Sequence, residues 1–173
     1  MAIGFKWIVW GLAPVVLVGV VLLAAQVGLL RGSPKAALGV SDGRLAQPST
    51  TPNSVSSQAS LYPDHPQLGH ANIEPFRPAA GESLSQPWRR LTTLVRETPD
   101  VVVVSEEPAY LRAEASTRWL RFVDDVELLR SDAEGVIHVR SASRLGRKDF
   151  GVNRHRVEGW RAALGADASR TSQ

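Results

Sequence analysis

Apolar and polar positions divide the chain into a continuous apolar run, a patternless stretch and a region of alternating short periods. From Trp7 to Leu30 every residue is apolar or small except Gln26, with Lys6 before the run and Arg31 after it. At a rise of about 1.5 Å per residue this run reaches about 36 Å, against a hydrocarbon core about 30 Å thick. It therefore predicts one transmembrane helix over 7–30, within an anchor spanning 1–31. Trp7 and Trp10 stand near one end, where indole favours the headgroup region. Pro14 lies inside, where a freed carbonyl is expected to kink the helix or find a local partner. A cleavable signal peptide is the competing reading. The run is longer than the usual signal core, and Leu22 and Leu23 occupy places where a cleavage site wants a small side chain, so an uncleaved anchor is expected.

Between Gly32 and about His70 the chain is rich in Ser, Pro, Gly, Ala and Thr. That composition predicts a flexible linker over 32–70. The patch Pro52-Asn53-Ser54-Val55-Ser56-Ser57-Gln58 is less random and is a candidate to pack back onto the domain.

The folded domain is expected over 71–165, with a disordered tail at 166–173. Ile73 to Phe76 predicts a short edge strand, because Pro75 cannot donate to a ladder. A helix follows from about Gln86 to Glu97, with Ser85 as the expected N-cap and Pro87 in its first turn. Its apolar stripe is Leu84, Trp88, Leu91 and Val95. Val101 to Val104 is continuously apolar and β-branched, the mark of a buried strand. Tyr110 to Ala115 alternates, with Leu111, Ala113 and Ala115 on one face. Arg118 to Val123 also alternates, with Leu120 and Phe122 expected inward. Val126 to Arg130 is expected to pair, across the turn Asp132 to Gly135, with Val136 to Arg144. In that last strand Ile137, Val139, Ser141 and Ser143 oppose His138, Arg140, Ala142 and Arg144. A closing helix from about Val152 to Leu164 carries Asn153, Val157, Trp160 and Leu164 on one stripe. The order predicts an α+β fold: a two-layer sandwich of a mostly antiparallel sheet with two helices, preceded by one transmembrane helix.

Composition adds exclusions. None of the 173 residues is cysteine, so disulfides, thiolate nucleophiles and cysteine-ligated zinc are ruled out. Of the 20 basic residues 17 are arginine, and the formal charge is +3. A GC-rich genome accounts for that bias; a retained set of guanidinium groups for bidentate anion binding is the sharper reading. The basic count beside the anchor favours holding the C-terminal side inside, whereas a short N-terminal tail commonly stays there instead. The domain is expected on the periplasmic or lumenal side.

Three stretches become recognisable together: residues 52–58; Arg121-Phe122-Val123-Asp124-Asp125-Val126-Glu127; and 137–158, from Ile137-His138-Val139-Arg140 through Asp149-Phe150-Gly151-Val152-Asn153-Arg154 to Arg156-Val157-Glu158. Over about 44–164 the chain resembles the uncharacterised bacterial and plastid family catalogued as domain of unknown function 1499. The resemblance brings no established reaction. It implies a first motif usually reading Pro-Asn-Cys-Val-Ser-Ser, with another cysteine slightly earlier. Ser54 stands in that place here, so no family role for a thiol or disulfide operates in this chain.

Segment 140–161 holds seven cations against Asp149 and Glu158. Beside a helix N-terminus near Gly151, Arg140, Arg144, Asp149, Asn153 and Arg154 form a candidate site for a phosphate, carboxylate or lipid headgroup. The alternative is internal neutralisation, with Arg140 and Arg144 pairing to Asp124, Asp125 or Asp149. Asp124 and Asp125 point to opposite faces of a strand and cannot easily share a metal ion. Ser141 and Ser143 likewise face away from His138, and no nucleophile elbow is present. His65, His70 and His155 lack ligand spacing, and no nucleic-acid or cofactor motif occurs. The expectation is a non-catalytic interaction or assembly module, held at the bilayer by residues 7–30, with a protein partner or anionic headgroups as its target. A small anionic-ligand-binding or hydrolytic domain with an arginine-rich pocket is the alternative. No cofactor, metal or nucleic acid is expected.

Overall fold

The structure, a computed structural model, describes residues 2–171, with side chains from 13 to 166. Its first element, α1, spans Ala2–Gln26 and continues through Pro14. The helix stops four residues short of the expected Leu30 because Gly28 turns into the left-handed region at φ 85°. The Leu29 N–H then closes on the Ala24 carbonyl, a glycine-terminated C-cap. Val15, Val16, Leu17, Val18, Val20, Val21 and Leu23 are all exposed around the helix. Among the described residues no helix is long and apolar enough to cross a membrane. The expected span over 7–30 begins among side chains outside the described ones, Trp7 and Trp10 included.

Five strands make one antiparallel sheet in the order β1-β5-β4-β3-β2: β1 Ser54–Ser56, β2 Val101–Glu107, β3 Tyr110–Ser116, β4 Val123–Ser131 and β5 Val136–Ser143. Two main helices, α3 (Ser85–Glu97) and α4 (Val152–Thr171), follow a short α2 at Leu68–Ala71. Leu84, Trp88, Leu91 and Val95 from the α3 stripe meet Val157, Trp160 and Leu164 from α4. Both cover the sheet face that carries Val55, Leu111, Ala113, Val126, Leu128, Ile137 and Val139. The Trp160 indole donates to Thr98 Oγ1 at 2.9 Å, tying α4 to the end of α3.

Several expectations need correction. Residues 101–104 form an edge strand rather than a buried one: Val101 and Val103 pack on the core, but Val102 is 65 % exposed. A β-branched run fits any half-buried pleat, so its composition did not distinguish edge from centre. Residues 118–122 form a loop instead of a strand. Arg121 sits at φ 53°, and the Thr117 N–H donates to the Phe122 carbonyl at 2.9 Å, closing the turn with Phe122 exposed. Ser85 lies inside α3 and caps nothing, because Leu84 before it is already helical at φ −55°, ψ −23°. Ile73–Phe76 contributes a single bridge, Phe76 to Ile137. The expected tail is helical in backbone to Thr171.

From Leu45 onward, the stretch read as a linker is folded into the domain. Leu45, Asn53, Val55 and Ala59 are buried, and β1 pairs with β5, Ser54 opposite Ala142. Three residues paired to an existing sheet edge order a segment whose own composition would not order it. Residues 31–48 cross the sheet face opposite the helices as a strap, where Leu45 packs with Tyr110 and Leu129.

Candidate functional site

Under that strap the sheet carries charge instead of a second apolar layer. Antiparallel register sets Arg112, Glu127 and Arg140 side by side on β3, β4 and β5, with Glu114 beside Asp125 in the next row. Opposite charges attract across strands in the first row, whereas Glu114 and Asp125 stand directly opposed and need arginine between them. Arg140 and Glu127 are 2 % and 0 % exposed in their side chains and meet at 3.1 Å. Glu127 also accepts from the Tyr110 hydroxyl at 2.8 Å and from the Gly39 N–H of the strap at 2.7 Å.

Arg144 grips Asp125 with two donors, Nε at 2.9 Å and Nη2 at 2.7 Å, and Nη2 reaches Glu114 at 2.5 Å. Such forked contacts require arginine and are not reproduced by lysine. Arg112 lies 3.4 Å from Glu114 and 3.7 Å from Asp125. Three arginines thus face three carboxylates. Arg31, just after α1, adds a fourth guanidinium at 2.5 Å from Glu114. The hydrogen bond to Asp125 holds the Arg144 guanidinium above its ordinary value. Burial pushes Glu114 up, but the Arg144 hydrogen bond and the charges of Arg144, Arg31 and Arg112 outweigh it and hold the carboxyl down. Burial and Glu127 push the Tyr110 hydroxyl well above its usual range.

On the helix side lies a second polar cluster. Asp149 accepts from the Gly151 N–H at 3.0 Å, and from the Asn153 N–H at 3.2 Å and its side-chain amide at 2.9 Å. Burial raises Asp149, but those donors prevail and lower it. The α4 N-terminus expected to attract an external anion thus already holds the chain's own carboxylate. Asn153, fully buried, also donates to the Asn53 carbonyl at 3.2 Å and Ser143 Oγ at 3.0 Å, joining the approach to β1 with β5 and α4. Its Oδ1 accepts from Ser141 Oγ and Arg156, while Arg156 holds Asp124 at 2.6 Å.

The five candidate residues therefore do not converge. Arg140 and Arg144 lie on the strap face, Asp149 and Asn153 on the helix face. Arg154 donates to the carbonyls of His70 and Asn72 at 2.7 and 2.8 Å, as Arg161 does to Glu74 and Pro75. Asp124 and Asp125 point to opposite faces as expected, Asp124 to Arg156 and Asp125 to Arg144. Among the described residues no group of three His, Asp or Glu side chains is placed to hold a metal ion.

Sequence reasoning passed over Glu114, Glu127, Arg112 and Arg31, the partners that complete the network. Strand alternation puts the first three on one face, and that signal was available; Arg31 had none, because its role depends on where the strap lies. It also passed over Ser57, whose hydroxyl lies 3.2 Å from His138 Nδ1, with Glu134 at 3.3 Å from Nε2. Those three have the order of a catalytic relay, yet Ser57 Oγ is engaged by the Val139 N–H at 2.9 Å, and Glu134 is largely exposed. Their arrangement fits a clamp joining the chain after β1 to β5.

No curated protein and no solved structure matches the chain. The family model described as Protein of unknown function (DUF1499) matches residues 44–164, from just before buried Leu45 to the last core residue of α4, Leu164, and the chain belongs to that family.

Proposed function

We propose that this protein is a membrane-anchored, non-catalytic interaction or assembly module, with α1 as the anchor and the domain held against the bilayer on the periplasmic or lumenal side. The observation that carries the reading is the disposition of charge and apolar surface together. Arg140, Arg144, Arg154, Arg156 and Arg161 are engaged within the domain. The exposed apolar residues from Val15 to Leu29, in contrast, run along the chain without a covering layer. A helix apolar on all sides needs an apolar solvent or a partner around it.

Arg31 favours a held anchor over a loose one. Its pairing with Glu114 and the Gln26 amide donating to the Trp119 carbonyl at 3.3 Å fix the end of α1 to the loop end of the sheet. A pocket for a small anion needs convergent cations with free donors, whereas Arg140 is held by Glu127 and the fork of Arg144 by Asp125 and Glu114. Titration of the detergent-solubilised full chain with inorganic phosphate, followed by calorimetry, tests the reading. No saturable heat is expected; saturable binding lost in Arg144→Ala would replace the module by a ligand-binding domain.

A further inference from the structure

The loops at the α1 end of the sheet carry surface that the charge network does not use. Phe150, at the start of the turn into α4, is 91 % exposed and is held outward by a left-handed backbone at φ 54°. A bulky residue there is uncommon, and no burial within the chain repays it. Trp119 is 66 % exposed, and Phe122, Leu145 and Val152 are exposed beside the same loops. Between those loops Phe122, Val123, Leu145, Phe150 and Val152 line a cleft of about 330 Å³ with Lys148. Arg118 stacks on Trp119 with its guanidinium carbon 5.4 Å from the ring centre. Arg118, Arg147 and Lys148 are exposed and pair with no carboxylate among the described residues.

The position of this rim relative to α1 is fixed by contact. Trp119 receives the Gln26 amide, Gly146 receives the Lys35 ammonium at 2.8 Å, and a Cβ on Gly32 would lie 2.8 Å from Leu145. The rim therefore continues the exposed apolar surface of α1 where that helix ends.

We propose that this rim is a second membrane contact: Trp119, Phe122, Leu145, Phe150 and Val152 enter the bilayer interface while Arg118, Arg147 and Lys148 meet anionic headgroups. The inference rests on α1 being the anchor. Aromatic side chains favour the interface, and cations beside it gain from anionic lipid. With two attachments, the anchor and the rim, the domain is held in one orientation instead of swinging on a tether.

Because the chain lacks cysteine, single nitroxide labels can be placed on the full-length protein at Phe150→Cys, Val16→Cys and Ala133→Cys, the last at the far turn of β4 and β5. The protein is reconstituted into phosphatidylcholine vesicles with or without phosphatidylglycerol, and each label's relaxation by oxygen and by a water-soluble nickel chelate is measured. The expected result is a label at 150 favouring oxygen as the label at 16 does, while the label at 133 favours nickel. The depth at 150 should decrease without phosphatidylglycerol, or when Arg147→Glu and Lys148→Glu are combined. A label at 150 as open to nickel as that at 133, with the label at 16 still deep, overturns the rim and leaves the anchor standing. A label at 16 open to nickel overturns the anchor itself, and equal depth at 150 in both vesicles overturns the headgroup contact.

Discussion

Arg144 illustrates how one side chain can look like a ligand site and serve as a lock. In sequence it is a cation beside a strand end; in the fold its donors reach Asp125 and Glu114. Removing one partner of a buried pair costs about 3–5 kcal/mol, because the remaining charge is uncompensated. Arg144→Ala should lose stability on that scale in urea unfolding, and the double variant Arg144→Met with Asp125→Leu should lose much less. Equal losses would show that the pair is not coupled. Acid acts on the same residues. Glu114 and Asp149 are both held below their ordinary values of 4.5 and 3.8. Each therefore binds fewer protons folded than unfolded, and its stabilisation is complete above the ordinary value and lost as pH falls through the folded one. The unfolding midpoint should be flat from pH 7 to about 5 and decline below about 4. Asp149→Asn, which keeps an acceptor for the α4 amides, should flatten part of that decline.

At the scale of elements, residues with a strong period were legible and those ordered by a neighbour were not. The α3 stripe, Val157, Trp160 and Leu164 of α4, and the alternating Leu111, Ala113, Ala115, Ile137 and Val139 reach the core as read, whereas Asn153, Ser141 and Ser143 of the same patterns join a polar cluster instead. The loop at 118–122 imitates alternation while Arg121 breaks the extended backbone. β1 and the strap gain their order from the sheet they lie on, so their local composition reads as linker. The charge network was half legible: alternation places its members on one face, but which arginine meets which carboxylate depends on register. The strap belongs to the domain through Leu45, packed with Tyr110 and Leu129. Leu45→Ala should cost about 2–5 kcal/mol if it empties that contact. It should also speed exchange of the Gly39 amide, bound to Glu127, more than that of amides within β4. Unchanged exchange at Gly39 would mean the strap is held without this cluster.

In the whole molecule, a layered domain of ordinary architecture meets the end of an apolar helix through Gln26 and Arg31. Helices on one face form the core, and on the other the strap lies over a charged layer in which Arg140, Arg144, Asp125 and Glu127 are buried and Arg112 and Glu114 half-buried. Arg31 carries that network to the end of α1. A charged layer is an expensive way to fill a sheet face compared with apolar packing. It favours one seating of the strap, however, because the Gly39 N–H meets Glu127 and the Gln47 carbonyl meets Arg140 in that seating. That seating fixes where α1 leaves the domain, and hence which loops lie beside it.

The central proposal is that α1 anchors the chain, and membrane extraction tests it most directly. Membranes from cells expressing the full chain are washed with alkaline carbonate and sedimented. The protein is predicted to remain in the pellet and to require detergent for release, whereas the double substitution Val16→Arg with Val20→Arg shifts it to the supernatant. Charged residues at the centre of a span cost about 2.5–3.5 kcal/mol each on insertion scales, enough to reverse a single helix. Recovery of the unaltered chain in the carbonate supernatant would contradict the account.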